Sequence, residues 1–572
     1  MLEWIEPRDE AVVLERWRER IAVARRQLGW PDGPVVARPH AAGISLALAA
    51  PFDQLFTATE VNEWALCASL VERAPERRDE LERALVVPEA GTDDLPVLDD
   101  EAALARLARL AASEERPDLA ELLRAASAHA VPALLDEEGV TLGTGCRGRS
   151  WPLDAVPSPA AVDWAALGTV PIAVVTGSNG KTTTVRLLAA CASAHGWRTG
   201  YSSTDGLVID GETIAPGDYS GPVGARTVLR DPRVEAAVLE TARGGILRRG
   251  LAIARAHAAV VTNISSDHFG EYGIDDLAAL AEAKLVVART VASGGLLVLN
   301  ADDATLRTRA AETEADIGWF ALDADDPLLV AHRAAGGPTC GIRNDHLWLE
   351  WGGEHHDLGP IDAMPLTASG CAAYNIANVA AAALAAAALG IDAASIRATF
   401  ARFGARLEDN PGRLMHFEIG GLRLVVDYAH NPAGLSGVLA VARRLQGAGR
   451  LLMLLGHAGN RTDQDLERVA AVAAEARPDL IVVKEIDGYQ RGRAEGEIAR
   501  ILRTRLLAHG MAEERLPVRL HEFDAVRCAL DSARTGDIVL LLVHSPAARA
   551  ETSALLTRLR EQGWHAGDPL PK

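Results

Sequence analysis

The segment TGSNGKTTT at 176–184 leaves few folds open to this chain. It directly follows the apolar run PIAVV and directly precedes the helical pattern VRLLAACASA. Glycines in such a loop let backbone N–H groups surround a phosphate, Lys181 brings positive charge to the outer phosphates, and Thr182 offers a hydroxyl to Mg²⁺. The alternative is a glycine-rich turn that binds nothing. The order of strand, loop and helix favours a nucleotide site beside a parallel sheet.

Short apolar runs alternate with helical patterns after residue 170, which predicts parallel sheets with helices on both faces. The runs are 171–177, 235–242, 258–265, 294–303, and then 422–432, 450–461, 479–485 and 537–544. Before them, helical patterns at 9–28 and 99–129 and a strand pattern at 43–49 indicate a mixed domain. We predict an N-terminal α+β domain and linker at 1–165, a central phosphate-loop α/β domain with a doubly wound parallel sheet at 166–404, and a C-terminal Rossmann-like α/β domain at 405–572.

Charge and hydrophobicity exclude several classes of protein. The net charge of −20 argues against a nucleic-acid-binding surface, which needs clustered basic side chains. The longest apolar stretch, 379–391, is shorter than the roughly 20 residues that cross a bilayer, and no secretory signal opens the sequence. The six cysteines lack the C-x-x-C spacing of metal or redox sites. We expect a cytoplasmic protein with reduced thiols and no membrane or nucleic-acid partner.

Lysine is scarce, because only four of the 58 basic residues are lysines: Lys181, Lys284, Lys484 and Lys572. A compact ammonium sits against a phosphate as a point charge or reacts as an amine, and a guanidinium does neither well. The three internal lysines are therefore candidates for chemistry, although chance in an arginine-rich chain is the alternative for each.

The shortened loop GSNGK, together with downstream motifs, resembles the ATP loop of the Mur ligase family of ATP-dependent amide-forming enzymes. The resemblance implies that ATP is bound by Gly177, Ser178, Asn179, Gly180, Lys181, Thr182 and Thr183. It also implies that Mg²⁺ is held by Thr182, Glu240, His268 and a Lys284 carbamylated by CO₂. Lys181, His268 and Lys284 are then the catalytic residues. Read alone, Glu240 is equally consistent with a surface carboxylate and His268 with a capping or packed histidine.

Further motifs extend the resemblance to about residue 544. Asn300, Asn375 and Asn378 resemble the adenine and ribose contacts of the family. Arg413 in PGRL resembles the arginine that reaches the γ-phosphate, and Asp427 and His430 in DYAHNP resemble nucleotide contacts of the C-terminal domain. The family likeness also places the following residues at the substrates: Thr204, Asp205, Arg243, Asn460, Arg461 and Asp463. A surface salt bridge is the alternative for Arg243 and Arg461. Lys484, near Arg491 and Arg493, is expected either to hold an acidic chain or to lie in a solvated loop.

Within the family, STDGLVIDGE and VLETARGGILRRGL look most like the ligase half of the cyanophycin synthetases, which build a poly-aspartate backbone with arginine side chains. Those enzymes also carry an ATP-grasp domain, for which we find no room before the phosphate loop, so we do not expect this chain to build the polymer alone. The resemblance implies a ligase that uses ATP and Mg²⁺ to form an acyl phosphate. It would join a basic amino acid to an aspartyl-type carboxylate of a small molecule or peptide, with a homo-oligomer or a partner synthetase as the expected assembly. The alternatives are a folylpolyglutamate-synthase-type ligase and a catalytically silent nucleotide-binding scaffold.

Overall fold

The computed structural model describes residues 7–40, 43–84, 98–266 and 269–571. They divide into two units. The first contains the described residues up to 140 with 150–166 and 270–275, and the second contains 141–149, 167–269 and 276–571.

Helices dominate the first unit. Trp17, Ile21 and Trp64 lie in its apolar core. The pattern at 99–129, read as one helical stretch, is two helices because Pro117, which has no N–H to donate, begins a new one. The elements, with three short strands that follow, are α1 (Pro7–Leu28), β1 (Val35–His40), β2 (Gly43–Leu48), α2 (Leu55–Arg73), α3 (Arg78–Ala84), α4 (Asp100–Glu114), α5 (Pro117–Ala128), β3 (Ala133–Leu135), β4 (Gly139–Leu142) and β5 (Arg149–Pro152).

The second unit contains a sheet of 11 strands ordered β16-β15-β14-β13-β12-β11-β6-β10-β7-β8-β9. Its elements are β6 (Ile172–Thr176), α6 (Lys181–Ala194), β7 (Thr199–Ser203), β8 (Gly206–Ile209), β9 (Glu212–Pro216), α7 (Pro222–Arg230), β10 (Ala236–Glu240), α8 (Arg243–Arg249), β11 (Ala256–Val261), α9 (Leu277–Leu285), β12 (Val291–Asn300), α10 (Ala304–Arg309), β13 (Ile317–Asp323), α11 (Pro327–Ala334), β14 (Thr339–Arg343), β15 (His346–Trp351), β16 (Glu354–Pro360), α12 (Ala373–Ala388) and α13 (Ala393–Phe400).

The middle of this sheet is parallel and fully buried, as the continuous apolar runs predict. Both ends are antiparallel, through β7-β8-β9 on one side and β14-β15-β16 on the other. Helix α12 packs against α6 and against strands β11 to β15, and most of its alanines are buried in the core. Small side chains on this helix let it approach the strands closely, and Asn378 packs on Gly180 of the phosphate loop.

The same unit contains a second sheet of five strands, ordered β17-β18-β21-β19-β20 and parallel except for β17. Its elements are β17 (Met415–Ile419), β18 (Leu422–Asp427), α14 (Pro432–Leu445), β19 (Leu451–Leu455), α15 (Asp463–Glu475), β20 (Leu480–Val483), α16 (Glu497–Ala508), α17 (Glu522–Ser532), β21 (Ile538–Leu542) and α18 (Pro546–Glu561). The motifs DYAHNP and GHAGNR follow β18 and β19 at the carboxyl edge, where open α/β sheets bind ligands.

No helix in the described ranges combines the length and apolar character needed to cross a bilayer. All six cysteines are free thiols.

Candidate functional site

The phosphate loop lies between β6 and α6, and two of its glycines are obligatory. Gly177 and Gly180 have φ values of +145° and +84°, which disfavour other residues. A Cβ on Gly177 would lie 1.9 Å from the Thr262 hydroxyl oxygen, and one on Gly180 would lie 2.1 Å from Asn378 Oδ1. The loop therefore depends on glycine for both its conformation and its packing.

The segment after β11 holds this loop in place, and sequence reasoning did not assign it. Asn179 N–H donates to Asn263 Oδ1 at 2.9 Å, and its carbonyl accepts from Thr262 Oγ1 at 2.6 Å and Asn263 Nδ2 at 3.0 Å. Ser178 Oγ donates to the Ser265 carbonyl at 2.9 Å. The polar run TNISS after an apolar strand was the available signal.

Two of the four lysines meet at the loop. Lys181 Nζ donates to the carbonyls of Gly177 at 3.0 Å and Ser178 at 3.1 Å. Lys284 Nζ, from the last turn of α9, donates to the same Gly177 carbonyl at 2.8 Å, and the Lys284 residue is only 4% exposed. The scarcity of lysine thus pointed to two residues that the fold brings together.

Glu240 ends β10 and lies beside the loop, almost completely buried. Its carboxylate accepts hydrogen bonds from Thr182 Oγ1 at 2.8 Å and from Thr204 Oγ1 at 2.6 Å. The Thr204 N–H also donates to it, at 3.2 Å. Three residues that the sequence separates by up to 58 positions therefore form one cluster of hydroxyl and carboxylate oxygens.

Asp205 is surrounded by arginines. Its carboxylate lies 3.3 Å from Arg186, 3.5 Å from Arg413 and 3.1 Å from Arg549. Burial alone would raise the pKa of Asp205, but the three guanidiniums outweigh it and lower that pKa. Asp205 and Arg413 were assigned from the motifs; Arg186 and Arg549 were not, although Arg186 shares a helix face with Thr182.

The three asparagines expected at adenine and ribose are buried near the loop. Asn300 Nδ2 donates to the Thr262 carbonyl at 3.0 Å. Asn375 Nδ2 donates to the Leu366 carbonyl at 2.9 Å, and Asn378 Nδ2 donates to Asn375 Oδ1 at 3.1 Å. Asn378 also packs on Gly180. Of the three side chains, Asn378 contacts the phosphate loop directly, Asn375 contacts Asn378, and Asn300 contacts Thr262 of the segment that holds the loop; their roles toward a nucleotide stay predictions.

The segment after β18 also reaches the phosphate loop. Asp427 accepts from the N–H groups of Leu414 and Ala429, both at 2.7 Å, and burial raises its pKa. His430 Nδ1 lies 3.2 Å from the Tyr428 carbonyl oxygen. Asn431, which the motif reading passed over, caps α14 and donates through Nδ2 to Asn179 Oδ1 at 2.9 Å.

A second contact of this kind joins Thr183 to the stretch before β17. Asn410 is 4% exposed, and its Nδ2 lies 3.2 Å from the Thr183 hydroxyl oxygen. The phosphate loop and the first turn of α6 are thus contacted by residues that flank β17 and β18 of the second sheet.

The predicted substrate loop after β19 is held by Arg493. This side chain donates to the carbonyls of Gly459 at 3.1 Å and Arg461 at 2.7 Å, and it pairs with Asp463 at 2.8 Å. Arg461 is 7% exposed and Asn460 lies on the surface. Arg243, at the start of α8, is 8% exposed, which disagrees with a surface salt bridge.

Lys484 differs from both expectations, since it is completely buried. Its ammonium donates to Glu522 at 2.7 Å and lies 3.2 Å from His544 Nδ1. Glu522 accepts in addition from the N–H groups of His544 and Ser545 at the start of α18. Burial together with the Lys484 charge lowers the pKa of His544. The residue belongs to the interior of the C-terminal sheet layer.

His268 lies outside the described residues. Within the described part of the chain, no three His, Cys, Asp or Glu side chains form a metal-binding group.

Comparison with known proteins agrees with this geometry. Residues 175–386 match the Mur ligase middle domain, and residues 412–542 match the Mur ligase glutamate ligase domain. A UDP-N-acetylmuramoyl-L-alanyl-D-glutamate–2,6-diaminopimelate ligase from Alkalilimnicola ehrlichii is 32% identical over 376 residues, which cover 64% of this chain and 70% of that enzyme.

A cyanophycin synthetase from Trichormus variabilis is 38% identical over 395 residues, which are 69% of this chain and 43% of that protein. The chain therefore spans less than half the length of the cyanophycin synthetases it matches. Among solved structures, Escherichia coli FolC in complex with DHPP and ADP is 20% identical and superimposes with a TM-score of 0.52 over 68% of this chain and 89% of that one. This similarity shows a shared fold.

Proposed function

Since the chain belongs to the Mur ligase family, we propose that it uses ATP to join a carboxylic acid to an amino acid in an amide bond. The observation that carries the proposal is the cluster of Thr182, Thr204 and Glu240 beside a glycine-rich loop with Lys181. Loop N–H groups, one ammonium and buried oxygen ligands together suit the triphosphate of a nucleotide.

The reaction has two steps. A carboxylate oxygen of the acid attacks the γ-phosphorus of ATP, so that an acyl phosphate forms and ADP leaves. The amine of the second substrate then attacks the acyl carbon, the C–O bond to phosphate breaks, and the amine loses a proton. Lys181 binds the outer phosphates and neutralises charge on the transferring group, which in such reactions is mostly positioning and electrostatics. Arg413 reaches the γ-phosphate from the side of the second sheet.

Mg²⁺ fits the residues that are present, because carboxylate and hydroxyl oxygens are its preferred protein ligands. Thr182 and Glu240 would hold one ion, and His268 with a carbamylated Lys284 would hold a second. When bound, the metal neutralises phosphate charge. The family likeness supports these four residues, and the buried position of Lys284 at the Gly177 carbonyl is consistent with a group that belongs to the site.

The substrates are proposed from the similarity to the cyanophycin synthetases. We assign an aspartyl-type carboxylate as the acid and arginine or lysine as the amine, with Thr204, Asp205, Arg243, Asn460, Arg461 and Asp463 near them. Asn300, Asn375, Asn378, Asp427 and His430 bind or border the nucleotide. The reaction takes place in the cytoplasm, with a separate synthetase as a candidate partner.

An assay of ADP release tests the proposal. Purified protein with Mg·ATP is offered aspartyl and glutamyl peptides as acids, with arginine, lysine or glutamate as amines. We expect ADP only when an acid is present, and hydroxylamine should trap the acyl phosphate as a hydroxamate. Glu240→Gln is the matched negative control. ATP hydrolysis at full rate without any acid, with no hydroxamate formed, would contradict a ligase and favour the scaffold.

A further inference from the structure

Asp205 and the three guanidiniums around it, Arg186, Arg413 and Arg549, form a group that we call the arginine cluster. The side chains come from four separate segments: the loop after β7, helix α6, the stretch before β17 and the first turn of α18. Their side chains are between 9% and 19% exposed, so water reaches them only in part. The cluster is therefore a largely buried part of the fold and not an ion pair on the surface.

The cluster contains more donors than its carboxylate can accept. Each guanidinium has five N–H donors, whereas one carboxylate offers about four acceptor positions. The Nε atoms of Arg186, Arg413 and Arg549 are all buried and make no hydrogen bond within the described ranges. Buried donors without acceptors are costly, and three of them around one point call for a further acceptor.

The arginine cluster also carries more positive charge than negative charge. Glu240 and Asp427 also attract Arg413, so the positive charge with the fewest counterparts lies on Arg186 and Arg549. Burial, together with the charges of the neighbouring arginines, lowers the pKa of Arg186. The cluster is therefore short of negative charge as well as of acceptors.

Rigid placement suits these side chains to a planar anion. Arg413 and Arg549 both lie over the ring of Tyr428, at 5.0 Å and 5.4 Å from its centre. A stacked guanidinium keeps its plane fixed and presents a fork of donors that matches the two oxygens of a carboxylate. Asp205 shows that a carboxylate fits among them.

The cluster lies next to the proposed site of phosphoryl transfer. Thr204 directly precedes Asp205 and donates two hydrogen bonds to Glu240, which in turn accepts from Thr182 of the phosphate loop. An anion held at the cluster is thus beside the end of the nucleotide phosphates. The nucleotide already has the loop, Lys181 and Arg413 for its own oxygens, which leaves Arg186 and Arg549 without a ligand.

We propose that Arg186 and Arg549 form a subsite for a carboxylate of the acid substrate, next to Arg413 and supported by Asp205. This inference rests on the proposed ligase function, and it assigns the two residues that receive the acid. Guanidiniums at this position offset the repulsion between an anionic acid and an anionic triphosphate, which must approach each other before the phosphoryl group can move.

The test measures binding without turnover. Isothermal titration calorimetry on the full chain compares tri-aspartate, tri-asparagine, Mg·ADP and Mg·AMP-PNP as probes. We expect Arg549→Gln and Arg186→Gln each to weaken tri-aspartate binding by about tenfold, which is typical of one charge-assisted contact. Binding of both nucleotides should change by less than about twofold, within the range expected for an uninvolved residue. Tri-asparagine, which has the same shape without the side-chain charges, should not depend on either arginine.

Two further variants serve as controls for misfolding and for a general loss of positive charge. Arg549→Lys keeps the charge beside Asp205 but removes the planar fork, so it should fold and still weaken tri-aspartate binding. Arg558→Gln removes an exposed arginine from the same helix and should leave all four affinities unchanged.

Three outcomes would overturn the subsite: no measurable tri-aspartate binding by the unsubstituted chain, unchanged binding in the folded Arg549 variants, or a loss confined to Mg·AMP-PNP. The last would assign the arginines to the γ-phosphoryl group instead. Arginine-dependent peptide binding without acid-dependent ADP release would refute the ligase and retain the subsite. Acid-dependent ADP release that is unchanged when either arginine is replaced would refute the subsite and retain the ligase function.

Discussion

At the phosphate loop, the ammonium groups of Lys181 and Lys284 donate to one carbonyl oxygen, that of Gly177. Two like charges close to one carbonyl oxygen repel each other, and phosphate oxygens would attract both. A guanidinium is too wide and too strongly directional to replace either group. These properties give a physical reason for lysine at both positions in a chain whose basic residues are mostly arginine.

Replacing Lys181 by alanine should remove catalysis and leave the fold intact. Within the described ranges, its ammonium donates to the carbonyls of Gly177 and Ser178 in its own loop, so its loss should cost little stability, whereas the transferring phosphoryl group loses its point charge. We expect ADP release to fall by about a hundredfold to a thousandfold. Lys181→Arg should also fail, because the planar group does not fit the loop. A normal rate in either variant would disprove the nucleotide assignment.

Lys284 should carry a carbamate in the active protein. We expect ¹³C-bicarbonate to give a carbamate resonance by NMR that is missing in Lys284→Ala. That variant should bind ATP but turn over poorly, and a small carboxylate such as acetate should restore part of the rate by supplying the lost oxygen ligand. An active alanine variant, or a resonance that survives the substitution, would show that Lys284 only supports the loop.

At the scale of elements, the ion pair of Lys484 and Glu522 joins β20, α17 and the start of α18 inside the C-terminal sheet layer. Removing one partner of a buried pair leaves the other charge uncompensated. Lys484→Met should therefore lower the free energy of unfolding by about 3–5 kcal/mol in urea denaturation. Arg505→Ala, at the exposed pair with Glu467, should cost less than about 1 kcal/mol. Equal effects in the two variants would show that the buried pair is not structural.

The same pair should make stability depend on pH in acid. Burial raises the pKa of Glu522, but Lys484 and His544 outweigh burial and hold it well below its usual value of 4.5. A depressed folded-state pKa contributes stability above the unfolded pKa and loses it as pH falls further. Stability of the unsubstituted chain should therefore drop below about pH 4.5, and the double variant Lys484→Met, Glu522→Gln should show a shallower decline. The unfolding midpoint in urea, followed across pH, measures both.

The apolar runs of the sequence predict β6, β10, β11 and β12 of the first sheet and β18 to β21 of the second, but none of the other strands of these sheets. Strands such as β6, β11 and β21 are buried on both faces, so continuous apolar runs identify them. Strand β9 is mostly exposed and β16 begins with four polar residues, so their pairing depends on turns and neighbours, which no apolar run reveals. The parallel sheet expected at the centre is therefore mixed.

The residues of the candidate site could also be predicted only in part. Short motifs located Lys181, Glu240 and Asp427, because each follows an apolar strand within a few residues. They could not show that Asp205 meets Arg549, which lies 344 residues away and sits in an ordinary helix. Nor could they show that Lys484 pairs with Glu522, which lies 38 residues away. Contacts of this kind depend on the packing of whole elements.

For the whole molecule, four polar contacts link the C-terminal sheet and the stretch before it to the phosphate-loop sheet within the second unit. They are Asn431 with Asn179, Asn410 with Thr183, and Asp205 with Arg413 and Arg549. All of them touch the phosphate loop, the first turn of α6 or the residue after Thr204. The proposed binding site and the contacts between the two sheets therefore share the same side chains.

Asp205→Ala should uncouple the two sheets. It removes the one carboxylate shared by three partly buried guanidiniums, which then repel each other, so we expect a loss of about 2–4 kcal/mol and a calorimetric unfolding trace that broadens or splits. Sulfate should restore part of the loss, whereas chloride at equal ionic strength should not, because only an oxyanion replaces the carboxylate at the guanidinium forks. Glu551→Ala, which removes an exposed acid from α18, is the matched control. An unchanged single transition for Asp205→Ala, with no preference for sulfate, would mean that the apolar contacts of the unit hold the sheets together without the arginine cluster.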